Sequence, residues 1–415
     1  MSATDRPRPS IGLQKRALRA AIPRFEQTFA EVEQRTRGEA ELIAQGAARG
    51  DRVIPEVAYQ ALCGGDIPGP IAAEIRRRGV VIVRGTFPRA QAEAWDAQLA
   101  DYIVKNGYYR QHKRSAGDQY FSTLHDNQPQ IFAIYWSRPQ VEARQSQRLA
   151  ITRAALNRLW RWDTPGAGGD YVPGRECTYA DRIRRRRPGD GTLGLSPHVD
   201  GGSVERWLDP GYLRVYRHVF SAAWRDHDPF DAGYRGDTEK IASPAVCSMF
   251  RTFQGWTALS EQGPNDGTLQ LVPMADAMVY LLMRSLADDV PDDVLCGAEP
   301  GRALSITPRW HAPVLQGLVS IPRVYAGDTV WWHPDLIHAV ENTHNGTGYS
   351  NVMYIAAAPW CSKNAAYLQE QKSAFLRGES SPDFAAEHVE VEYPDRARRD
   401  DLTELGLRQM GFVPW

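Results

Sequence analysis

Apolar residues recur at helical spacing along the first part of the chain. Over residues 15–45 they return every three or four positions within a segment rich in Ala, Arg, Glu and Gln. This spacing predicts an amphipathic helix whose apolar side packs on the body of the protein. It also predicts helices over 71–78, 88–106 and 140–160, and the polar segment from Asn364 onward is again helical in character.

Short apolar runs of a different kind lie between and after these helices. Residues 80–83 are Val-Val-Ile-Val bounded by glycines, which is typical of a buried strand. Beyond about Tyr171 the chain becomes a series of such runs separated by Gly and Pro turns. Strands are predicted at 180–187, 245–259, 267–272, 304–307, 329–333 and 351–357. Many short strands with turns of this type favour a sandwich or barrel.

The composition provides enough apolar material for one large folded unit. Of the 415 residues, 42% are hydrophobic and 10% aromatic, and no low-complexity linker divides them. We therefore expect a single unit over 1–415, made of a mainly helical part over 1–170, a β core over 171–360 and a C-terminal helical extension over 361–415. The long aromatic segment over 203–244 is predicted to form part of a substrate pocket.

The net charge limits the kinds of partner that the sequence predicts, and the cysteines indicate a cellular compartment. A net charge of -1 gives no overall attraction to nucleic acid or to anionic lipid. We therefore expect a small molecule as the partner, and the sequence leaves the oligomeric state open. No apolar run approaches the roughly 20 residues that span a bilayer, and no secretory signal is recognisable. The five scattered cysteines fit reduced thiols, which predicts a cytoplasmic protein without a membrane partner.

Two histidines and one aspartate stand out as candidate metal ligands. His198-Val199-Asp200 follows a Pro/Gly-bounded strand end, and the glycine pair after it lets the backbone turn away from a metal. His338 follows a β-branched and aromatic strand and a short loop. Two imidazoles and one carboxylate from distant strands form the ligand set of non-haem Fe(II) oxygenases. The His-x-Asp triplet alone is a weak signal, because a second one begins at His333 and because a hydrogen-bonded structural histidine is an equally good interpretation of His198.

Two longer motifs make this interpretation more specific. The stretch from Gly327 to His338 resembles the distal-histidine segment of the phytanoyl-CoA dioxygenase family. Residues 255–259 and 265–273 resemble that family's central strand pair, a Trp-Thr-Ala strand and a Gly-x-Leu-x-x-x-Pro strand. The matching region runs over about 171–359, and the whole chain more closely resembles an uncharacterised bacterial and fungal branch of the same superfamily.

This resemblance implies an α+β protein with a mostly β core, a double-stranded β-helix of the jelly-roll or cupin-like kind, with helical elaborations at both ends. By position it implies that His198, Asp200 and His338 hold Fe(II), and that 2-oxoglutarate and O₂ are co-substrates. The retained carboxylate of Asp200 implies hydroxylation, because halogenating relatives lack this carboxylate and place chloride there.

The sequence departs from the family at the arginine that binds the far carboxylate of 2-oxoglutarate. In the family this arginine follows the distal histidine, and its guanidinium presents two parallel donors to two oxygens. Here Ser350 aligns with it, and no Arg or Lys occurs between His338 and Lys363. Either another strand supplies the cation, or the co-substrate is not 2-oxoglutarate. The residues predicted to bind the co-substrate are Arg251 as first choice, Arg206, Arg184, and the hydrogen-bond donors Ser350 and Tyr349.

The predicted function is an Fe(II)- and 2-oxoglutarate-dependent dioxygenase that hydroxylates a small molecule and releases succinate and CO₂. The arginines near the site favour an acidic substrate. The missing arginine leaves two alternatives open. One is a cupin-like metalloenzyme that uses Zn²⁺ or Mn²⁺ to activate water without 2-oxoglutarate. The other is a non-catalytic sensor that binds a metal or a ligand.

Overall fold

The computed structural model describes residues 10–111, 129–164, 171–172, 174–191, 195–238 and 247–415. The α-helices of these ranges are, in chain order, Ile11–Ala20 (α1), Phe25–Arg49 (α2), Tyr59–Leu62 (α3), Gly69–Arg78 (α4), Arg89–Lys105 (α5), Tyr108–Gln111 (α6), Arg138–Arg144 (α7), Gln147–Asn157 (α8), Glu205–Leu208 (α9), Pro210–Val215 (α10), Ala277–Arg284 (α11), Pro308–Leu315 (α12), Ser362–Arg377 (α13) and Glu404–Gln409 (α14). The β-strands are Glu56–Ala58 (β1), Val80–Arg84 (β2), Ile131–Phe132 (β3), Glu176–Cys177 (β4), Ile183–Arg186 (β5), His198–Val199 (β6), Phe253–Ala258 (β7), Leu269–Leu271 (β8), Leu304–Ser305 (β9), Val319–Ser320 (β10), Thr329–Trp332 (β11), His338–Val340 (β12) and Ser350–Pro359 (β13).

The strands form two sheets, and the chain passes repeatedly from one to the other. The larger sheet has the order β1-β2-β11-β7-β13-β5-β3, and β4 pairs with the far end of β13. The smaller sheet has the order β10-β8-β12-β6-β9. Within the described chain β1 and β2 pair in parallel, and the other strand pairs are antiparallel. Residues that are far apart in sequence therefore meet on neighbouring strands.

Apolar side chains fill the space between the sheets and cover both outer faces. Trp256 of β7 and Leu271 of β8 belong to one buried cluster between the two sheets. The other face of the larger sheet packs on α4, α5 and α8, where Trp331 of β11 shares a cluster with Trp95. Helices α2 and α11 belong to a third cluster that covers the smaller sheet. Because successive strand residues point to opposite faces of a sheet, Trp332 points into the space between the two sheets. Its neighbour Trp331 points to the helices on the other face of the larger sheet.

The predicted helices of the first part are present, with two of them divided. The helix predicted over 15–45 is α1 and α2, separated by Pro23, a residue that fits poorly inside a helix. The helix predicted over 140–160 is α7 and α8, and Ser146 caps α8 by accepting a hydrogen bond from the backbone N–H of Arg148. The other predictions in this part correspond to α4, β2 and α5, and α13 follows the β core. None of the described helices combines the length and the apolar character that crossing a bilayer requires.

The six strands predicted for the β core are present as β5, β7, β8, β9, β11 and β13, with different bounds. For example, β7 covers only Phe253–Ala258 of the predicted 245–259. The sequence pattern does not predict the two-residue strands β6 and β10 or the helices α9, α10 and α12, because these elements are short or are interrupted by prolines. It does not predict α11 either, because this helix is apolar on nearly every side and shows no helical period.

The segment predicted to line a substrate pocket packs elsewhere. Its described part, 203–238, forms α9, α10 and two short 3₁₀ turns. Its aromatic residues Trp207, Tyr216 and Trp224 are buried in the cluster that contains α2 and α11. None of residues 203–238 is among the described residues that line the cavity beside the predicted metal ligands. The aromatic content of this segment therefore reflects core packing, which corrects the prediction for the part that can be described.

Candidate metal centre

The two histidines of the predicted ligand set lie on neighbouring strands of the smaller sheet. His198 opens β6, His338 opens β12, and the two residues are direct partners in the antiparallel ladder. Their ring centroids are 4.2 Å apart. Asp200 follows β6, and one potential ligand atom from each of the three residues lies within 4.8 Å of the others. The fold therefore brings together the three residues that the sequence analysis singles out.

Backbone carbonyls determine which nitrogen of each imidazole faces the aspartate. Nδ1 of His198 lies 2.7 Å from the carbonyl oxygen of Ser196, and Nδ1 of His338 lies 3.0 Å from that of Leu336. A carbonyl can only accept, so each Nδ1 carries the proton and each Nε2 offers its lone pair. The two Nε2 atoms lie 3.6 Å and 3.4 Å from the carboxylate oxygens of Asp200. Ligand atoms bound at about 2.1 Å to one ion stand roughly 3–3.5 Å apart, so these spacings suit a shared cation.

Burial and neighbouring charges give His198 and Asp200 the protonation states that a cation requires. Burial, together with the nearby His338, lowers the pKa of His198 to about 4, so its imidazole is neutral at pH 7. Burial alone would raise the pKa of Asp200, but the two histidines and Arg251 hold it well below the usual range of an aspartate. A neutral imidazole and a carboxylate are suitable ligands for Fe(II), and also for Zn²⁺ and Mn²⁺. The donor set thus fits a divalent cation and does not by itself select iron.

The turn after Asp200 requires glycine twice. Gly201 and Gly202 have φ angles of 80° and 132°, a region that side chains disfavour. A Cβ on Gly202 would lie 2.7 Å from the hydroxyl oxygen of Tyr212, and this hydroxyl donates a hydrogen bond to the carbonyl of Gly201. The glycine pair therefore forms the turn that follows the candidate ligand Asp200 and allows α10 to pack directly against it.

A buried ion network supports the aspartate from behind. Arg206 donates hydrogen bonds to the backbone carbonyl of Asp200 at 2.7 Å and to the carboxylate of Asp335 at 2.8 Å. Asp335 also pairs with Arg235 at 3.0 Å. Burial alone would raise the pKa of Asp335, but these two arginines hold it far below its usual range. Arg206 lies outside the described lining of the cavity. We therefore replace its predicted role in binding 2-oxoglutarate with a role in positioning Asp200.

A cavity of about 110 Å³ lies between the sheets beside His198, Asp200 and His338. Aromatic side chains from the inner face of the larger sheet, among them Trp256 and Tyr354, form much of its described wall, and Phe384 contributes from the C-terminal part. Three arginines also reach it, Arg182, Arg184 and Arg251. Arg182 pairs with Asp181, but neither Arg184 nor Arg251 forms an ion pair with a described residue. This favours an anionic ligand, because a buried charge is costly without a partner.

Arg184 reaches the cavity from β5, next to the serine that aligns with the family's arginine. Its Nη2 lies 3.1 Å from Oγ of Ser350 and 3.4 Å from Oε1 of Gln262. The residue is 2% exposed, and its Nε has no hydrogen-bond partner among the described residues. Burial lowers the pKa of Arg184, as expected for a cation without an adjacent carboxylate. Ser350 thus contacts the predicted arginine and holds it in place.

Tyr349 faces away from the cavity. Its side chain is 41% exposed, and the guanidinium of Arg185 lies 5.6 Å from its ring centroid. Neighbouring residues of an extended chain point to opposite sides, so an inward Ser350 places Tyr349 outside. The predicted contact between Tyr349 and the co-substrate is therefore corrected.

Arg251, the first choice of the sequence analysis, lies just before β7 and is 6% exposed. Its guanidinium carbon is 5.4 Å from the ring centroid of Tyr179. Among the described residues no group accepts a hydrogen bond from this guanidinium or forms an ion pair with it. Arg251 and Arg184 are thus both buried cations of the cavity, and the sequence alone does not distinguish their roles.

Two further polar residues of the cavity wall were not predicted from the sequence. Gln254 of β7 is buried, and neither its Oε1 nor its Nε2 has a hydrogen-bond partner in the described chain. Trp332 of β11 is its ladder partner, and the indole Nε1 of Trp332 is likewise unpartnered. The signal in the sequence is a single glutamine inside the apolar strand Phe-Gln-Gly-Trp-Thr-Ala. A polar residue at an inward position of such a strand is a candidate for ligand contact.

Together, the fold and this cluster define a mixed α/β protein whose two sheets enclose a candidate metal site. The chain belongs to the Gig2-like family, whose profile matches residues 8–412. It is 41% identical over 405 residues to "Uncharacterized protein YbiU" of Escherichia coli (strain K12), a match that covers 97% of this chain and 96% of that protein.

Solved structures share the fold over nearly the whole chain. The "Putative Oxidoreductase" from Salmonella typhimurium LT2 superposes with a TM-score of 0.90 at 42% sequence identity, covering 97% of this chain and 96% of that one. GlcNAc Inducible Gene 2, GIG2 (DUF1479), from Candida albicans superposes with a TM-score of 0.83 at 24% identity, covering 98% of this chain and 90% of that one. At the latter level of identity the similarity concerns the fold alone.

Proposed function

We propose that the protein is an Fe(II)- and 2-oxoglutarate-dependent dioxygenase with His198, Asp200 and His338 as its metal ligands. The observation that carries this proposal is a buried arginine without an adjacent carboxylate, Arg184, in the same cavity as the His–Asp–His cluster. A dianionic co-substrate that chelates a metal at one end needs a cation at its other end. From β5 to β13 the chain passes several times between the two sheets, and the strand pairs that it forms there are antiparallel. This supports a double-stranded β-helix of the jelly-roll kind as the framework.

In this assignment the residues of the chain hold the metal ion and the co-substrate in place and keep water away from them. Fe(II), bound with 2-oxoglutarate and O₂, supplies the oxidant that converts a substrate C–H into C–OH, while 2-oxoglutarate leaves as succinate and CO₂. The carbonyls of Ser196 and Leu336 keep both Nε2 atoms directed at the site. Arg184, held by Ser350, binds the far carboxylate of 2-oxoglutarate. The aromatic walls exclude water from the reacting atoms.

This proposal also accounts for the departure from the phytanoyl-CoA dioxygenase pattern. Arg184 and Ser350 lie on paired strands, with Arg184 opposite Val352 and Ser350 opposite Arg186. They are therefore diagonal neighbours, whose side chains come within reach of each other. A guanidinium from β5 thus lies beside the position at which the family carries its arginine on the strand after the distal histidine. We propose that Arg184, and not Arg251, replaces that arginine.

The first test is an anaerobic titration of the Fe(II)-loaded protein with 2-oxoglutarate. Chelation of Fe(II) by a 2-oxo acid gives a weak visible charge-transfer band, and we expect this band in the wild type and its loss in His198→Ala. Arg184→Met is expected to weaken 2-oxoglutarate binding by about ten- to a hundredfold, because a charge-assisted hydrogen bond is lost. Arg185→Lys is the matched control, since Arg185 lies on the same strand and pairs with Asp96 instead.

Exposure of the same samples to O₂ tests the reaction class. Formation of succinate from 2-oxoglutarate identifies an oxygenase, whereas a hydrolase, an isomerase or a sensor forms none. Bound iron without the band would contradict the assignment of 2-oxoglutarate. It would favour a metalloenzyme that activates water through the same three ligands.

A further inference from the structure

The assignment of Arg184 to the co-substrate leaves a second buried cation in the cavity. Arg251 is 6% exposed and lines the same space as the metal ligands. Among the described residues, no oxygen accepts a hydrogen bond from its guanidinium, and its recorded contact is with the ring of Tyr179 at 5.4 Å. A guanidinium carries five donors in a planar fork, and burying it without acceptors is costly. This cation is thus placed to bind an acceptor that the chain itself does not provide.

Strand register separates Arg251 from Arg184. Arg184 is paired with Val352, which is itself paired with Ala258 at the end of β7. Arg251 precedes Phe253 at the opposite end of β7. At about 3.3 Å per residue, Ala258 and Phe253 alone are roughly 16 Å apart along the strand. The two arginines therefore enter the cavity from opposite ends of β7, which favours two separate anionic groups.

The acidic side chains nearest to Arg251 have other partners. Asp200 belongs to the candidate metal site. Asp181 lies 3.5 Å from Arg182. Asp383 accepts hydrogen bonds from the hydroxyl groups of Ser248 at 2.5 Å and Tyr179 at 3.0 Å. None of the three lies within ion-pair distance of Arg251.

Uncharged hydrogen-bonding groups without partners lie on the same wall. Both polar atoms of the Gln254 amide and Nε1 of Trp332 are buried and unpartnered in the described chain. These residues are ladder partners, and the ring of Trp332 lies 5.4 Å from that of His338. The Gln254 amide, which can donate and accept, and the Trp332 indole N–H, which can donate, thus lie on the wall beside the candidate metal ligands. Arg251 lies just before the start of β7.

We propose that Arg251 binds an anionic group of the primary substrate, a carboxylate or a phosphate, while Gln254 and Trp332 bind a neutral polar group of the same molecule. The enzyme would then act on a small polar acid whose reacting carbon lies near the metal and whose charge lies toward Arg251. This inference rests on the proposed function, because it assigns to the substrate the charge site that the co-substrate does not use.

The test compares small anions with uncharged counterparts. Protein loaded with Mn²⁺ and saturated with 2-oxoglutarate is titrated calorimetrically with acetate, propionate, butyrate and 3-hydroxybutyrate, each beside its primary amide, and with methyl phosphate beside methanol. We expect at least one anion to bind at least tenfold more tightly than its neutral partner, since a bidentate charged contact is lost in the latter. Preference among carboxylates or for methyl phosphate identifies which anion the site takes.

Variants at Arg251 establish whether this residue causes the preference. In Arg251→Met the affinities for an anion and for its neutral partner are expected to differ by less than twofold. The affinity for 2-oxoglutarate is expected to stay within twofold of the wild type. That second affinity also confirms an intact cavity. Arg251→Lys keeps the charge over Tyr179 and is expected to retain part of the preference, so the result does not depend on one variant. Equal binding of anions and neutral partners by the wild type, or no binding at all, would overturn the proposal, and so would a full preference in Arg251→Met.

Repeating the titrations in Arg184→Met without 2-oxoglutarate separates this inference from the proposed function. In metal-free Arg184→Met, a preference for anions that disappears when Arg251→Met is added arises at Arg251, whether or not 2-oxoglutarate is the co-substrate. A preserved preference here, together with no charge-transfer band in the iron-loaded wild type titrated with 2-oxoglutarate, would contradict the function and support the anion site. A clear band in the wild type with no preference here would support the function and overturn the anion site.

Discussion

The residues behind Asp200 matter as much for the site as the three candidate ligands. Arg206 binds the carbonyl of Asp200 and the carboxylate of Asp335, so a single guanidinium connects a candidate ligand to a buried ion network. Both partners of this ion pair are almost fully buried, with side-chain exposures of 1% and 4%. Supporting residues of this kind determine ligand orientation, and their loss typically costs tenfold or more in metal affinity.

Replacement of Asp335 by asparagine tests this support. We expect Asp335→Asn to destabilise the protein by about 3–5 kcal/mol, because two buried arginines lose their counter-charge. We also expect about tenfold weaker Mn²⁺ binding, because Arg206 no longer holds the backbone at Asp200. Urea unfolding and a metal titration measure the two effects.

Asp292→Asn provides the control for this substitution. Asp292 forms a surface pair with Arg16, and the side chains are 75% and 59% exposed. The control is expected to match the wild type within about 0.5 kcal/mol. Wild-type metal affinity in folded Asp335→Asn would show that the network supports the fold but not the site.

At this scale the sequence predicted the cluster of His198, Asp200 and His338 but not the different surroundings of the three arginines. His198, Asp200 and His338 were predictable because each lies in a local motif and the motifs occur in a recognisable order. Arg184, Arg206 and Arg251 all lie close to those motifs in sequence or in predicted strands. Their roles depend on cross-strand register and on partners such as Asp335, which lies more than a hundred residues from Arg206. No spacing along the chain encodes that contact.

The central element of the larger sheet is β7, and its glycine allows β7 and β11 to approach closely. Gly255 is paired with Trp331 on one side and Ile355 on the other. A Cβ at Gly255 would meet the carbonyl oxygen of Val330 and would lie 3.2 Å from the ring of Trp331. Backbone atoms in the middle of a sheet cannot yield without breaking the ladder. Because Gln254 and Trp256 flank this glycine, the same strand also sets the shape of the cavity wall.

Gly255→Ala is therefore expected to destabilise the protein by about 3 kcal/mol or more through overpacking. Gly38→Ala in α2 is the matched control, since a Cβ there meets no atom within 4 Å. Because alanine favours a helix over glycine, the control is expected to gain up to about 1 kcal/mol. Midpoints of urea unfolding measure both changes. A Gly255→Ala midpoint at or above that of the wild type would show that β7 and β11 can separate without cost.

Elements with a clear period were predictable, and elements without one were not. β2 is a β-branched run between glycines, and α2 carries a regular apolar stripe, so both were recognised. α11 is apolar on nearly every side, with seven of its residues buried from Ala277 to Met283, and such a run shows no helical period. Strands of two residues, such as β6, are too short to alternate, although β6 carries one of the candidate ligands.

The C-terminal part contacts both the β core and the first part of the chain. Phe384 lines the cavity, and Glu390 accepts hydrogen bonds from the backbone N–H groups of Tyr135 and Trp136 and from the hydroxyl of Tyr102. The cavity therefore takes lining from both the β core and the segment after it. This arrangement is in keeping with the prediction of a single unit, which stays a prediction for the chain as a whole.

Glu390 makes the stability of this contact between the C-terminal part and the first part of the chain depend on pH. Burial raises the pKa of Glu390 to about 7, whereas the usual value of a glutamate in an unfolded chain is about 4.3. Because the folded state holds the proton more tightly, this contribution to stability is fully present below pH of about 4 and is lost as the pH rises through about 7. Between pH 5 and pH 8 we expect the wild type to lose roughly 2–3 kcal/mol relative to Glu390→Gln.

Unfolding free energies of the two proteins across this pH range test the prediction. Glu379→Gln, at a partly buried glutamate that pairs with Arg377, is expected to follow the wild type throughout. If the unfolding free energies of the wild type and Glu390→Gln change in parallel with pH, burial does not raise the pKa of Glu390. The contact that Glu390 makes would then not depend on pH.

The diagonal contact between Arg184 and Ser350 has a consequence for comparative genomics. On the proposed assignment, a charge has shifted sideways from one strand to its lateral neighbour, keeping its place in space while leaving its column in any alignment. A column that has lost its arginine is therefore not proof of lost co-substrate binding. In divergent oxygenase-like sequences, the two strands are best inspected as one composite signature in which either may carry the cation, and a pseudoenzyme is inferred only when both have lost it.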